Sequence, residues 1–445
     1  MRPTSVRWRI FGLACGTSFL LYLHRYTWNL VGPELQQDHG LSNTQAQILF
    51  SLFYYTYATA QVPSGILIDR AGPHRFLSIG IVAWSLALGG LALAPALWML
   101  GGFRLLFGLG QAGCYPALTK MTRSWFPASR RTVLQGWIAT TAGRSGGALA
   151  PIVLGSLLMG ALGLSWQTSL LILSALGIAW GIAFAIGFRD TPADHPGVNG
   201  AERALIDEGE KPSVNAPTER FPWDRAIRSR SLAAFVAQQF LDAGSDVAFV
   251  SLMGAYFLRA RGFDFSKTGW LASLPLWGGA LGGIAGGWLN DRLIYRTGNR
   301  RWTRSGVGAV GKLIGCGMLA LVTKPEDGVM AAFVLMLAKF FSDWSQPTVW
   351  GTCTDLGGRF SATVFSIINT AGTLGGVAMP VVFGLVLDAC TRWIVKDDTT
   401  IPFTDWNPLF LLLAAMYLGS GICWLLIDCT QRLDLPEKPP TIAEI

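Results

Sequence analysis

Residues 142–155 read AGRSGGALAPIVLG and residues 371–384 read AGTLGGVAMPVVFG, so one pattern of small residues and proline occurs twice, 229 positions apart. A second pattern, GILIDR at 65–70, returns as GWLNDR at 287–292, with an offset of 222 positions. Two independent matches at nearly the same offset are hard to obtain by chance. We therefore predict that the second half of the chain repeats the fold of the first.

The composition around these repeats is that of a membrane protein. Of the 445 residues, 51% are hydrophobic and only 14% are charged, and the mean hydropathy is +0.40. Soluble proteins are roughly 25% charged, so this chain lacks the polar residues needed to face water on all sides. Its 53 glycines favour close helix packing in lipid, and its 18 tryptophans favour the headgroup region.

Twelve apolar runs are separated by mostly short polar loops, and each is long enough to cross a bilayer as a helix of roughly 20 residues. We number them spans 1 to 12; they cover residues 9–33, 44–68, 76–95, 97–118, 132–159, 166–188, 231–258, 269–290, 306–323, 328–350, 360–388 and 407–427. The predicted fold class is an all-α membrane protein with twelve transmembrane helices in two pseudo-symmetric six-helix bundles.

The longest polar segment, which is rich in proline and charge, divides the spans six and six. The predicted domains are therefore an N-terminal bundle over 1–188, a cytoplasmic linker over 189–230, and a C-terminal bundle with a short cytoplasmic tail over 231–445. Within the linker, residues 201–210 are predicted to form a short amphipathic surface helix.

The net charge of +8 reflects membrane topology rather than nucleic-acid binding. With a cytoplasmic N-terminus, the short inner loops contain twelve basic residues, namely Arg70, Arg75, Lys120, Arg123, Arg130, Arg131, Arg292, Arg296, Arg300, Arg301, Arg304 and Arg359. The outer loops contain six, namely Arg259, Arg261, Lys267, Lys324, Arg392 and Lys396. This positive-inside bias predicts a multi-pass protein of the cell inner membrane with both termini in the cytoplasm.

The sequence contains no pattern typical of a cofactor or metal site. The seven cysteines lie mostly within spans and lack metal-ligand spacing, so we expect neither a bound metal nor a disulfide. The four histidines are scattered and no nucleophile–base pair accompanies them, which argues against a membrane-embedded enzyme. We expect no cofactor and a monomeric protein.

Several motifs resemble those of the major facilitator superfamily. Its loop 2–3 signature is matched by Gly65, Asp69, Arg70, Gly72 and Arg75. Within it, the chain resembles the anion:cation symporter family, which includes bacterial hexuronate and galactonate carriers and animal vesicular glutamate and sialic acid carriers. The matching stretches are YLHR at 22–25, FSLFYYTYATAQVPSG at 50–65, RLLFGLGQA at 104–112, WFPASRR at 125–131 and NTAGTLGG at 369–376.

The resemblance implies a substrate site in a central cavity. By this resemblance Tyr22, Arg25, Tyr57 and Asn369 would line the cavity, with Arg25 and Tyr57 near the carboxylate of the substrate. Their side chains suit a sugar acid, because tyrosine and asparagine form hydrogen bonds with hydroxyl groups.

Two positions depart from the pattern of the resembling family. That family usually has Asp immediately before the span-1 arginine and Glu in span 4, where this chain has His24 and Gln111. Those acids carry proton coupling in the proton-driven members, so their absence argues against ordinary proton symport. Gln111 stays in the predicted substrate-binding set. His24 either carries a proton near neutral pH or is a packed polar residue.

Arginines inside spans indicate the charge of the substrate, because a charge at mid-bilayer costs at least ~2.5–3.5 kcal/mol. Arg25 lies sixteen residues into span 1, and Arg144 lies near the middle of span 5. Arg104 is closer to the outer edge, where it either snorkels or contacts substrate. Guanidinium groups bind carboxylates and phosphates bidentately, so these three residues predict an anionic substrate.

Two acidic residues in span 7 are candidates for ion coupling. Asp242 and Asp246 are four residues apart, so they share one helix face. They either neutralise the span-1 and span-5 arginines when the site is empty, or bind a proton or sodium ion. In span 10, Lys339 and Asp343 have the same spacing and are expected to pair with each other.

The repeated GxxxDR element is predicted to act as a conformational latch at the cytoplasmic ends of spans 2 and 8. There a carboxylate pairs with an arginine or caps a neighbouring helix. Its residues are Gly65, Asp69, Arg70, Gly287, Asp291 and Arg292. The alternative is that these charges only set the membrane topology.

These features predict a secondary active transporter that moves a small organic anion, a sugar acid or another carboxylate, across the inner membrane by alternating access. A proton or sodium ion is the candidate co-transported ion, and the lipid bilayer is the other partner. The alternatives are an exchanger or uniporter of phosphorylated or dicarboxylate solutes, and a non-transporting solute sensor of the same fold.

Overall fold

Helices occupy all twelve predicted spans in the computed structural model of the chain, which describes residues 3–127, 130, 134–207, 221–396 and 399–433. Some spans are single helices, and others contain a short break, as at Thr27 in span 1 and Gly113 in span 4. The described residues fall into two compact units. The first unit lies within Met1–Ala216 and Val250–Ser273, and the second within Pro217–Phe249 and Leu274–Ile445.

The first unit contains spans 1 to 6, the C-terminal end of span 7 and the first turns of span 8. Its helices are Val6–Tyr26 and Trp28–Asp38 (span 1), Asn43–Leu93 (spans 2 and 3), Leu97–Ala112 and Cys114–Trp125 (span 4), Leu134–Ala161 (span 5), Trp166–Gly187 (span 6), the linker helices Pro192–Asp194 and Gly200–Asp207, and Met253–Ala255 and Tyr256–Ala260 (the C-terminal end of span 7). Spans 2 and 3 are distinct because Gly72, with a φ of +81°, interrupts the long helix between them.

The second unit contains most of spans 7 to 12 and one feature that the sequence analysis did not predict. Its helices are Trp223–Arg228, Arg230–Ser251 (span 7), Phe265–Thr297 (span 8, whose first turns belong to the first unit), Arg300–Leu321 (span 9), Gly328–Ser342 and Ser345–Gly357 (span 10), Gly358–Phe360, Ser361–Ala389 (span 11) and Asn407–Leu426 (span 12). Strands Thr391–Lys396 and Thr399–Thr404 pair antiparallel in the loop between spans 11 and 12, with Thr391 opposite Thr404.

Helix length and hydropathy alone identify fewer membrane helices than the twelve spans predicted from the sequence. Among the described residues, six helices are long and apolar enough to cross a bilayer, or seven when the bent pair Arg230–Ser251 and Met253–Ala260 counts as one span. One of the six, Asn43–Leu93, holds two predicted spans. Span 9 fails this test although it is helical, because it contains three arginines in its first turns and Lys312 further along. The chain is a multi-pass membrane protein.

The repeated glycine pattern makes the same helix contact in each unit. A Cβ added at Gly146 of span 5 would lie 2.1 Å from the backbone oxygen of Phe19 in span 1. A Cβ added at Gly375 of span 11 would lie 2.4 Å from the backbone oxygen of Phe240 in span 7. The internal repeat relates the two contacts to each other. In both, small residues let the helix backbones approach closely.

The linker begins as part of the first unit. The predicted amphipathic helix is present as Gly200–Asp207, and the rest of that prediction, including Glu210, lies outside the described residues. Glu202 is fully buried, and its carboxylate accepts hydrogen bonds from the backbone N–H groups of Val6 and Arg7 over 3.3 and 3.1 Å. It therefore caps the N-terminus of span 1, where a negative charge stabilises the helix dipole.

Candidate functional site

Arg25 is buried inside the first unit, near the break that ends the first helix of span 1. Only 7% of the residue is exposed. Its Nε donates a hydrogen bond to Gln111 Oε1 over 3.1 Å, and Gln111 Nε2 donates to the backbone oxygen of Leu21 over 3.3 Å. The amide of Gln111 therefore bridges span 4 to span 1 and orients the guanidinium without neutralising it.

Three aromatic rings surround the same guanidinium. Its central carbon lies 5.1 Å from the ring centroid of Tyr22, 4.9 Å from that of Phe53 and 4.7 Å from that of Tyr57. Aromatic faces stabilise a cation while leaving its N–H groups available. Among the described residues, Nη2 of Arg25 has no hydrogen-bond partner and no carboxylate forms an ion pair with Arg25. A buried donor without a partner suits an anionic ligand.

Two of these neighbours were missed by the sequence analysis. Phe53 is fully buried in span 2, and its ring contacts Arg25. Tyr115, in the second helix of span 4, has its hydroxyl 2.9 Å from Ser18 Oγ and its ring beside that of Tyr22. The spacing of Phe53 and Tyr57, one helical turn apart, was the available signal for the first of them.

Arg104, predicted either to snorkel or to contact substrate, is hydrogen-bonded between spans 4 and 2. It is 3% exposed, and it donates from Nε to the backbone oxygen of Leu49 and from Nη2 to that of Phe50, each over 3.0 Å. Its guanidinium also lies 4.5 Å from the ring centroid of Trp28. These contacts join span 4 to span 2 and use two of the guanidinium N–H groups, which favours a structural role. A substrate contact of Arg104 stays a prediction.

His24, predicted to be either a proton carrier or a packed polar residue, lies among the spans of the first unit. The side chain is fully buried and lies against span 6, where a Cβ added at Gly177 would be 2.5 Å from His24 Cε1 and 2.2 Å from Ser85 Oγ. It is therefore packed among spans 1, 3 and 6, away from the face of span 1 that carries Arg25. This position favours the alternative of a packed polar histidine.

Arg144 and Asn369 are placed in different units and stay predictions as substrate contacts. Arg144 is partly buried in span 5, next to Gly143. A Cβ added at Gly143 would meet Tyr115 and Tyr22 at 2.9 and 3.1 Å, so this turn of span 5 borders the aromatic group around Arg25. Asn369 is exposed on span 11.

Asp242 forms an ion pair that the sequence analysis missed. Its Oδ1 contacts Nζ of Lys312 in span 9, and both side chains are completely buried. Lys312 also donates to Ser342 Oγ over 2.6 Å, and Gln238 Nε2 donates to the other oxygen of Asp242 over 3.3 Å. The signal for Lys312 was its place in the glycine-rich middle of an otherwise apolar span, where a lone charge needs a partner.

Asp246 and Asp343 share one ammonium group. Nζ of Lys339 lies 2.8 Å from each oxygen of Asp246 and 2.5 Å from Oδ1 of Asp343. The predicted Lys339–Asp343 pair is present, and Asp246 is a second carboxylate on the same ammonium group. The described ion-pair partners of the span-7 acids are lysines of the second unit, which differs from the prediction that they neutralise the arginines of spans 1 and 5.

The predicted latch residues are largely exposed. Asp69 pairs with Nζ of Lys120 in span 4 over 3.0 Å, rather than with the adjacent Arg70. Arg70, Asp291 and Arg292 are exposed, and the guanidinium of Arg292 stacks on Trp288.

The glycines of the latch are less constrained than those of span 5. A Cβ added at Gly65 would meet nothing within 4 Å, and one added at Gly287 would make ordinary contact with Pro347. Neither glycine is therefore required by close backbone packing in this conformation.

Comparison with known families agrees with this architecture. The sequence profile described as Major Facilitator Superfamily matches residues 14–380. The chain belongs to the major facilitator superfamily. The predicted resemblance is thereby confirmed.

This major facilitator protein has curated relatives along nearly its whole length. It is 30% identical over 433 residues to the probable sulfoacetate transporter SauU of Cupriavidus necator, covering 97% of this chain and 96% of that protein. It is 26% identical over 441 residues to the probable galactarate/D-glucarate transporter GudP of Bacillus subtilis, covering 95% and 93%. Since these relatives and the superfamily are transporters, the prediction that the chain is not an enzyme is confirmed.

Solved structures share the fold of this major facilitator protein. A bacterial homolog of the human lysosomal transporter Spinster, in an inward-facing and unoccupied conformation, matches with a TM-score of 0.72 and 17% identity over 95% of both chains. The nucleoside transporter NupG, solved as a point mutant, matches with a TM-score of 0.68 and 14% identity over 94% of this chain and 99% of that one. The predicted fold class, twelve helices in two pseudo-symmetric bundles, is confirmed.

Proposed function

We propose that this protein transports a small organic anion, a carboxylate or sulfonate of sugar-acid size, across the cell inner membrane. The relatives support this class, since they are named as transporters of sulfoacetate and of galactarate and glucarate. A further relative, the D-galactonate transporter of Escherichia coli O6:H1, is 26% identical over 381 residues, covering 83% of this chain and 86% of that protein.

The observation that carries the proposal is the environment of Arg25. This guanidinium is buried, oriented by Gln111 and surrounded by aromatic rings, and one of its nitrogens has no partner among the described residues. Burying a charge without a counter-ion is costly, so the arrangement is best explained by an anion that supplies the missing contacts. Tyr22 and Tyr57 would add hydroxyl groups to the same ligand.

The proposed mechanism is alternating access between two repeats, residues 1–188 and 231–445, joined by the cytoplasmic linker 189–230. Internal repeats are the usual basis of such movement in secondary transporters. The close contacts of span 5 on span 1 and of span 11 on span 7 support movement of each repeat as a rigid body. Both termini would be cytoplasmic, and Asp69 with Lys120 would form part of the latch.

Ligand-induced thermal stabilisation tests the proposed substrate class. The purified chain would be heated with sulfoacetate, D-galactonate and galactarate, and separately with dicarboxylates and sugar phosphates, which represent the alternative substrates. We expect at least one organic acid to raise the melting temperature of the wild type, and Arg25→Ala to lose that shift because the ligand loses its buried donor. Arg228→Ala, at an exposed arginine outside the spans, is the matched control.

Counterflow separates transport from sensing. Proteoliposomes loaded with unlabelled acid should take up the labelled acid, whereas a non-transporting sensor would bind it without uptake. If Arg25→Ala kept the ligand-induced rise in melting temperature, Arg25 would not be part of the site. Ligand stabilisation without counterflow would indicate a sensor rather than a transporter.

A further inference from the structure

The second unit contains a buried cluster with more carboxylates than ammonium groups. Its members are Asp242 and Asp246 on span 7, Lys312 on span 9, and Lys339 and Asp343 on span 10. Counted over the part of the chain that the structure describes, three carboxylates face two ammonium groups, so the fully ionised cluster carries one excess negative charge. Such a charge is costly inside a membrane span, so the cluster becomes neutral when one carboxylate binds a cation.

We propose that the excess charge binds the driving proton of transport, and that Asp246 is the carboxylate that receives it. This inference rests on the proposed function, to which it adds the coupling ion and its site. Asp246 is the accessible member, with 28% of its side chain exposed, whereas the side chain of Asp343 is 4% exposed and that of Asp242 is completely buried. A proton donor outside the cluster therefore reaches Asp246 more readily than either of the others.

Protonation of Asp246 leaves two matched ion pairs. A proton from a hydronium ion forms an O–H bond at an Asp246 oxygen, and the hydronium becomes water. Lys339 then keeps Asp343, which lies 2.5 Å away, and Lys312 keeps Asp242. Because Lys339 of span 10 loses its ionic contact with span 7, proton binding loosens one connection between these two helices. This is a physical route from proton uptake to helix movement.

The surroundings favour a proton over a sodium ion. Both oxygens of Asp246 already accept from Lys339 over 2.8 Å, so a metal ion at these oxygens would lie beside an ammonium group and be repelled by it. A sodium ion also requires several free oxygen ligands. Among the described residues, the groups that face the lysines include the Phe249 ring, the Ser342 hydroxyl and, from span 12, the Tyr417 ring, 4.7 Å from Lys312 Nζ.

Transport into proteoliposomes tests the inference with labelled D-galactonate and sulfoacetate as probes. An inward proton gradient of about one pH unit should concentrate the probe up to roughly tenfold per coupled proton in the wild type. An inward sodium gradient at equal pH should not concentrate it. Asp246→Asn should lower the ratio of proton-driven accumulation to counterflow by roughly tenfold, and Asp224→Asn, at an exposed carboxylate outside the spans, should match the wild type.

Thermal unfolding without ligand gives a second measurement that does not depend on the substrate. Asn carries no charge, so Asp246→Asn should melt at a higher temperature than the wild type at alkaline pH, where the excess charge is present. The difference should disappear at acidic pH, where the wild type is protonated. The inference would be overturned if Asp246→Asn were less stable than the wild type at every pH or kept proton-driven accumulation. Accumulation by the wild type in response to a sodium gradient would also overturn it. Absence of wild-type counterflow would instead contradict the proposed function.

Discussion

The Nε of Arg25 donates to Oε1 of Gln111 over 3.1 Å, so an uncharged amide holds the buried guanidinium of span 1. The family that this chain resembles usually has a glutamate at that position. With glutamine there, the first unit presents a cation that no described carboxylate neutralises, and the three carboxylates that contact buried lysines lie in the second unit on spans 7 and 10. The proposed anion site and the proposed proton site therefore use different side chains.

Gln111→Glu should make anion binding weaker and dependent on pH. At neutral pH the new carboxylate would be ionised and would pair with Arg25, in competition with the ligand. Protonation at acidic pH would release Arg25, so the dissociation constant should be raised about tenfold or more at neutral pH and recover as the pH falls. Ligand titrations by calorimetry across pH would measure this.

The uncharged variant Gln111→Met is the control for the loss of the amide. It should weaken binding to a similar extent at every pH, because it removes the orienting hydrogen bond without adding a charge. Equal affinity of Gln111→Glu and the wild type at neutral pH would show that Arg25 does not hold the anion.

Arg104→Met should lower stability more than it lowers ligand binding. The wild-type guanidinium donates to the backbone oxygens of Leu49 and Phe50, and hydrogen bonds to charged groups contribute about 1.5–3 kcal/mol each. We expect a lower melting temperature with the ligand-induced shift retained. A normal melting temperature together with a lost shift would return Arg104 to the substrate-binding set.

Gly146→Ala should prevent close packing of span 5 on span 1. The added Cβ would lie 2.1 Å from a backbone oxygen, which cannot move aside as a flexible side chain does. Gly375→Ala should have the same effect on spans 11 and 7. The measurement is the yield and melting temperature of monodisperse protein, both of which should fall.

Gly12→Ala is the matched control for these glycine variants. Gly12 is also within a spanning helix, but a Cβ added there meets nothing within 4 Å. It should be neutral or slightly stabilising, since alanine in a helix interior is favoured over glycine by roughly 0.5–1 kcal/mol. Normal stability of Gly146→Ala would contradict the observed contact between spans 1 and 5.

Lys312→Met should be strongly destabilising, because it leaves Asp242 buried without its counter-ion. Breaking a buried ion pair by removing one partner costs about 3–5 kcal/mol. The double variant Asp242→Asn with Lys312→Met should recover much of that loss, since no unpaired charge remains. Thermal unfolding of the wild type, both single variants and the double variant completes a double-mutant cycle. Additive losses of stability would argue against the ion pair.

The repeat, the number of spans and the two-bundle architecture were predictable from the sequence. Apolar runs and the glycine–proline pattern at 142–155 and 371–384 are local patterns that can be recognised without knowledge of the fold. The antiparallel hairpin at 391–404 was not predicted, because its strands are short and carry no strong turn motif. Arg25 was also identifiable in advance, since its depth in span 1 follows from position alone.

The partners of the buried charges could not be predicted in the same way. Helical spacing showed that Asp242 and Asp246 share a face, but it did not show that Lys312 and Lys339 from two other helices meet that face. It also did not distinguish Arg104, which donates two hydrogen bonds to carbonyls of span 2, from Arg25, whose Nη2 has no partner among the described residues.

The membrane class, the duplication and the deep position of Arg25 follow from the amino-acid sequence, because composition, repeat offset and distance from a span end are properties of the chain alone. Which charges compensate each other depends on how the helices pack. Ion pairs form between atoms a few ångströms apart on helices distant in sequence, and their energy depends on that separation and on burial. The cluster of three carboxylates and two lysines became visible only when spans 7, 9 and 10 were brought together.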